Sequence, residues 1–121
     1  MKKMLFLVTL IAVTSTAANA IDIAKGEVFM KCNQETVFRS LVNYLDMNGF
    51  QSDEMKVVFS STERKIKSAL KESSQESIEK AVGYNLKNAR RILTKEQYKK
   101  FLYIINLSYH NSNAALLAQN D

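Results

Sequence analysis

The chain has no proline and no tryptophan, and only one cysteine, one histidine and three glycines in 121 residues. Each scarcity excludes something. A single cysteine cannot build an internal disulfide framework, and one cysteine with one histidine cannot supply the usual zinc ligand sets. A β-rich fold of this size needs more turn residues than three glycines. Enzyme motifs are missing as well: there is no glycine-rich phosphate loop, no G-x-S-x-G, no H-E-x-x-H and no C-x-x-C. No repeat of fixed period and no low-complexity tract interrupts the chain. What remains is 46% hydrophobic and 24% charged, an ordinary globular balance that argues against wholesale disorder. The length allows one domain.

The N-terminus carries the clearest targeting signal. Met1-Lys2-Lys3 is a short basic start, Met4 to Val13 is apolar, Thr14 to Thr16 are more polar, and Ala18-Asn19-Ala20 has the A-x-A form of a cleavage site. This order predicts a cleaved secretory signal peptide over 1–20. The apolar run is roughly half of what spans a bilayer, so no transmembrane anchor is expected after cleavage. Cys32 lies twelve residues past the cleavage point, too far for lipid attachment there. The expected compartment is the bacterial periplasm or the cell exterior. There a lone thiol either pairs between molecules or is buried as a small hydrophobe. Without Lys2 and Lys3 the 17 basic side chains fall to 15 against 12 acidic ones. So mild an excess, together with export, speaks against a nucleic-acid partner.

The rest of the chain has helical spacing, and the expected fold is all-α. Residues 21–32 form a lead-in, either extended or the first turns of helix one, with Gly26 as an interruption. From Asn33, a good N-cap with Glu35 in the first turn, Val37, Phe38, Leu41, Tyr44, Leu45 and Asn48 follow three-to-four spacing. Asn48-Gly49 has the form of a helix stop, with Phe50 placed for the hydrophobic contact beyond it. A second helix is expected from Ser52, with the stripe Met55, Val58, Phe59, Thr62, Ile66, Ala69 and Leu70 and a polar face of Lys56, Glu63, Arg64, Lys67 and Lys71. A third runs from about Ser74 to Leu93 with Ile78, Ala81, Val82, Leu86, Ala89 and Leu93 inward. Gly83 inside it costs about 1 kcal/mol relative to alanine, and either permits a close crossing or is simply exposed. A fourth starts at Thr94, where Thr94 and Gln97 match a capping box and Leu93 and Tyr98 match a hydrophobic staple. Phe101, Leu102, Ile105 and Tyr109 line one side of it, and Tyr103, Ile104 and Leu107 line the other. A helix apolar around most of its circumference belongs in the middle of a bundle or at an interface. The expectation is a helical domain over 33–110, a small antiparallel bundle or two packed hairpins of three to four helices. A polar tail follows at 111–121, with Leu116 and Leu117 as a last anchor.

Chemistry-bearing residues are few. His110 has no second histidine to work with and suits a helix end. Cys32 and His110 would make a thiolate pair only if the fold joined them. Glu72, Glu76 and Glu79 share a helical face but sit at a helix start among Ser and Gln, where a solvated role is expected. No catalytic residue, metal or cofactor is expected. The strongest candidate is electrostatic: Lys87, Arg90, Arg91, Lys95, Lys99 and Lys100 stand against Glu96 alone, net +5 in 14 residues. That corner would suit an anionic surface or an acidic protein segment, or it is a solvated face whose Arg90 and Arg91 complement a helix C-terminus. Tyr98, Phe101, Tyr103 and Tyr109 accompany it, either as core or as contact residues.

Leu93-Thr94-Lys95-Glu96-Gln97 resembles the L-T-x-x-Q motif of the periplasmic Spy/CpxP-like family. The resemblance implies a small exported all-helical protein, chaperone-like, able to work as a curved homodimer. That family usually carries two copies of the motif. The other candidate, Phe50-Gln51-Ser52-Asp53-Glu54-Met55, has Met55 where glutamine belongs. The run from Leu93 to Asn111 is also similar to a group of short exported bacterial helical proteins of unknown function. Two readings follow: an exported binding or chaperone-like module, or a secreted interaction protein that uses the basic corner.

Overall fold

A computed structural model describes residues 25–119, with side chains through Asn111. The proposed signal peptide, the first residues of the lead-in, and Leu116 and Leu117 as a side-chain anchor lie outside what is described. The described residues form an all-α helical bundle of five helices: α1 (25–32), α2 (Glu35–Leu45), α3 (Gly49–Lys71), α4 (Gln75–Ile92) and α5 (Lys95–Gln119). None of these helices is long and apolar enough to cross a membrane.

Five helices replace the expected three or four because the lead-in forms its own helix. Gly26 does not interrupt it. Its missing side chain lets α1 settle onto the bundle, since an added Cβ would stand 3.2 Å from Ile66 Cγ2 and 3.6 Å from Ile78 Cγ2. Val28 and Phe29 of α1 are buried. Asn33 is not the N-cap of α2. Gln34 holds that position without a side-chain bond. Asn33 instead donates to Glu63 Oε1 at 2.6 Å and accepts from Lys56 Nζ at its backbone oxygen (2.8 Å) and side-chain oxygen (3.1 Å). This explains why Lys56 and Glu63, expected on a solvent face, are only partly exposed. The Asn33 amide holds the Glu63 carboxyl below its ordinary value, helped by Lys67 and Lys56 and opposed by partial burial.

The α2–α3 corner also departs from the expected stop. Asp46 takes the left-handed cap of α2 (φ 55°), so no glycine is needed there. Asn48 becomes the N-cap of α3 and Gly49 its first residue, three positions before the expected Ser52. Phe50 then lies in the first turn and is 75% exposed.

The α3 stripe is buried as its spacing predicts, from Met55 to Ala69, with Leu70 left 37% exposed at the end. Three contacts at nearly constant sequence sum define α3 and α4 as an antiparallel hairpin: Arg91 to Glu54, Asn85 to Thr62, and Lys65 over Tyr84. Ile78, Ala81, Val82 and Ala89 face inward on α4, Leu86 is half-buried, and Asn85 is fully buried. Phe59 sits at the centre. Its ring lies 6.3 Å from Phe29, 5.9 Å from Phe38 and 6.1 Å from Phe101, the last two edge-on. One aromatic from each of α1, α2, α3 and α5 thus joins a single cluster, an arrangement favoured by the ring quadrupoles. The stretch set apart by composition as a polar tail continues α5 as helix through Gln119.

Candidate functional site

Leu93 ends α4 in extended geometry and is buried, which turns the chain into α5. Thr94 and Gln97 form the reciprocal cap: the Thr94 amide donates to Gln97 Oε1 at 2.8 Å, and the Gln97 amide donates to Thr94 Oγ1 at 3.2 Å. The same box occurs at the other corner. The Asn48 amide donates to Gln51 Oε1 at 3.0 Å, and the Gln51 amide donates to Asn48 Oδ1 at 2.7 Å. Buried Met47 stands where Leu93 stands. Met47-Asn48-Gly49-Phe50-Gln51 therefore has the same capping geometry as Leu93-Thr94-Lys95-Glu96-Gln97, with its cap four residues before Ser52.

The two boxes meet. Gln51 Nε2 donates to Gln97 Oε1 at 2.8 Å, and Gln97 Nε2 donates to Gln51 Oε1 at 3.1 Å. Each amide also reaches carbonyls at the helix end of the other corner: Gln51 to Ile92 (3.3 Å), Gln97 to Leu45 (3.0 Å) and its C-cap Asp46 (3.2 Å). Two helix starts and two helix ends are thereby bonded at one end of the molecule, and orphan groups of all four are satisfied.

The basic corner lies along the end of α4 and the start of α5, on either side of Leu93 and Thr94, and all six cationic residues are exposed. The fold brings one acid, Glu54, that sequence spacing did not place there. Glu54 pairs with Arg91 at 3.6 Å, and Arg91 also donates to Asn88. Lys99 reaches Glu96 at 3.9 Å. Among the described residues no ion pair holds Lys87, Arg90, Lys95 or Lys100. The aromatics divide: Phe101 is core, Tyr98 and Tyr109 are half-buried, and Tyr103 is 62% exposed. Along α5, Lys99, Lys100, Tyr103, Leu107 and His110 share the solvent face. That face is cationic and apolar at once.

Between α3 and α4 runs an open groove of about 480 Å³, lined in part by Ser61, Arg64, Lys65, Ser68, Lys80 and Tyr84. Lys65 Nζ covers the Tyr84 ring at 4.8 Å, so the aromatic face is already occupied. Arg64 bonds Ser61, and Lys80 pairs with Glu76. Cys32 and His110 are not joined by any hydrogen bond among the described residues; the His110 ring lies 5.6 Å from Tyr109. Burial pushes the Cys32 thiol from an ordinary 9.0 to about 11, against a small opposing effect of Lys31. At neutral pH it is protonated, and a thiol is a weak nucleophile. No three of the described His, Cys, Asp and Glu residues are grouped to hold a metal ion. No family model, no curated protein and no solved structure matches this chain.

Proposed function

We propose that this protein is an exported, non-enzymatic binding module, chaperone-like, that captures segments of other proteins combining apolar side chains with negative charge. The observation that carries the reading is the outer face of α5, where Tyr103 (62% exposed) and Leu107 (43%) stand among Lys99, Lys100 and His110. Large apolar side chains left in water beside cations have no use inside the fold and suit an interface. The second capping box at Met47–Gln51 gives some support to the Spy/CpxP-like resemblance, a family that usually carries two copies of the L-T-x-x-Q motif. The basic start, apolar run and Ala18-Asn19-Ala20 support delivery to the periplasm or the exterior. A second reading, a secreted protein that docks on an anionic surface or acidic protein, is favoured by Lys87, Arg90, Lys95 and Lys100, which have no ion-pair partner among the described residues.

The test is suppression of aggregation of an unfolding client at near-equal molar ratio, in low and high salt. Suppression that survives salt and is lost in Tyr103→Ser/Leu107→Ser supports the chaperone-like reading. Suppression lost in salt and in Lys99→Glu/Lys100→Glu supports the electrostatic one, because screening at 1 M salt reaches about 3 Å. No suppression in either condition overturns the chaperone-like reading.

A further inference from the structure

Gly26 and Gly83 both lie within helices, and only one has a reason inside the fold. A Cβ at Gly26 would press on Ile66, whereas a Cβ at Gly83 would meet nothing within 4 Å. Gly83 is exposed at the middle of α4 and costs that helix about 1 kcal/mol relative to alanine. Its surroundings are patterned. Four residues before it is Glu79 and four after it is Lys87. Seven before it is Glu76 and seven after it is Arg90. All four are exposed, and at three-to-four spacing they share one face of the helix with Gly83 at its centre. The charges are thus antisymmetric about the glycine. Among the described residues Glu79, Lys87 and Arg90 have no ion-pair partner, and Glu76 has only the exposed Lys80 at 3.3 Å.

We propose that this face of α4 binds the same face of a second copy of the chain, antiparallel, with the two helices crossing at Gly83. A two-fold axis through Gly83 sets Glu79 opposite Lys87 and Glu76 opposite Arg90 of the other copy, twice over. A parallel pairing would oppose like charges, so the pattern also selects the direction. The i±4 row Glu79-Gly83-Lys87 is a ridge of the kind that interdigitates in helix crossings, and glycine lets the backbones approach at the crossing point. Exposed ion pairs contribute little each, and the face lacks large apolar residues, so the pair is reversible and sensitive to salt. The inference does not depend on the binding function above. It assigns Lys87 and Arg90 to the second copy and leaves Lys95, Lys99 and Lys100 to a partner.

Sedimentation velocity of the purified protein over a wide concentration range decides it. The expected result is a monomer–dimer equilibrium at low salt that weakens about tenfold or more at high salt. Glu76→Lys/Glu79→Lys and Lys87→Glu/Arg90→Glu should each be monomeric, and an equimolar mixture of the two should form a heterodimer. Gly83→Leu should abolish pairing while its thermal midpoint holds or rises. A helix dipole alone also favours acids early and bases late in α4. If that were the whole account, the mixture would stay monomeric. A wild-type monomer at every concentration in low salt, self-association retained in either charge variant, or no heterodimer from folded variants overturns the proposal.

Discussion

Thr62 and Asn85 meet inside the α3–α4 hairpin with no exposed surface on either. The Thr62 hydroxyl donates to the Val58 carbonyl at 2.7 Å, and the Asn85 amide donates to Thr62 Oγ1 at 3.0 Å. Asn85 Oδ1 has no partner. A buried polar atom left unmade costs more than a made bond returns. Thr62→Val is therefore expected to destabilise the protein by about 2 kcal/mol, because it strands the whole Asn85 amide. Adding Asn85→Leu should recover that loss, and denaturant titrations of the two variants check it. The α4 stripe Ile78, Val82, Leu86, Ala89 and Leu93 passed over Asn85 because its residue type reads as solvent-facing. Its partner lies 23 residues away, beyond the reach of any local pattern.

The elements end where their caps place them, and the two corners were unequally legible. Thr94 and Gln97 stood out because nothing nearby competes with them as a cap. At the other corner Asn48-Gly49 matches a helix stop, and only the left-handed Asp46 frees Asn48 to start α3. That a non-glycine residue holds φ 55° there is a tertiary outcome: the Gln97 amide bonds the Leu45 and Asp46 carbonyls from 52 and 51 residues away. This separates two roles of Gln97. Glutamate at the third helical position serves a capping box well and suits the helix dipole. If Gln97 only capped α5, Gln97→Glu would be harmless. Because the Gln97 NH₂ joins the corners, Gln97→Glu is expected to cost about 2 kcal/mol, close to Gln97→Ala. Thermal melts of both variants distinguish the two roles.

For the whole molecule, the all-α class was legible in the missing turn residues and the three-to-four spacing. The number of helices was not, because the eight described residues of α1 are too few to show a period or to hold a helix alone. That helix exists through tertiary contact, Gly26 against Ile66 and Ile78. Of the candidate site, the cations were legible in sequence, but the pairing of Arg91 with Glu54 and the exposure of Tyr103 depend on how the helices face. Two groups make the stability of the bundle depend on pH. Glu63 has a lowered folded value, so its contribution is present above the ordinary 4.5 and is lost as pH falls through the folded value. Cys32 has a raised folded value, so its contribution is complete below 9.0 and is lost as pH climbs to about 11. Denaturant titrations should show stability falling between those two values, with a shallower fall in Cys32→Ser.

The α3–α4 hairpin has a further consequence, in time rather than energy. Its two helices are consecutive in the chain, so their contacts close over short loops. Contacts of that kind give low contact order and folding on microsecond to millisecond scales. With no proline and one cysteine, no isomerisation of X-Pro bonds and no disulfide reshuffling stands in the way. The long-range steps are the return of α1 to Ile66 and Ile78 and the closing of the Gln51–Gln97 junction. The expected order of assembly is hairpin first, corners second and α1 last. A chain that starts unfolded would spend little time with its apolar faces open.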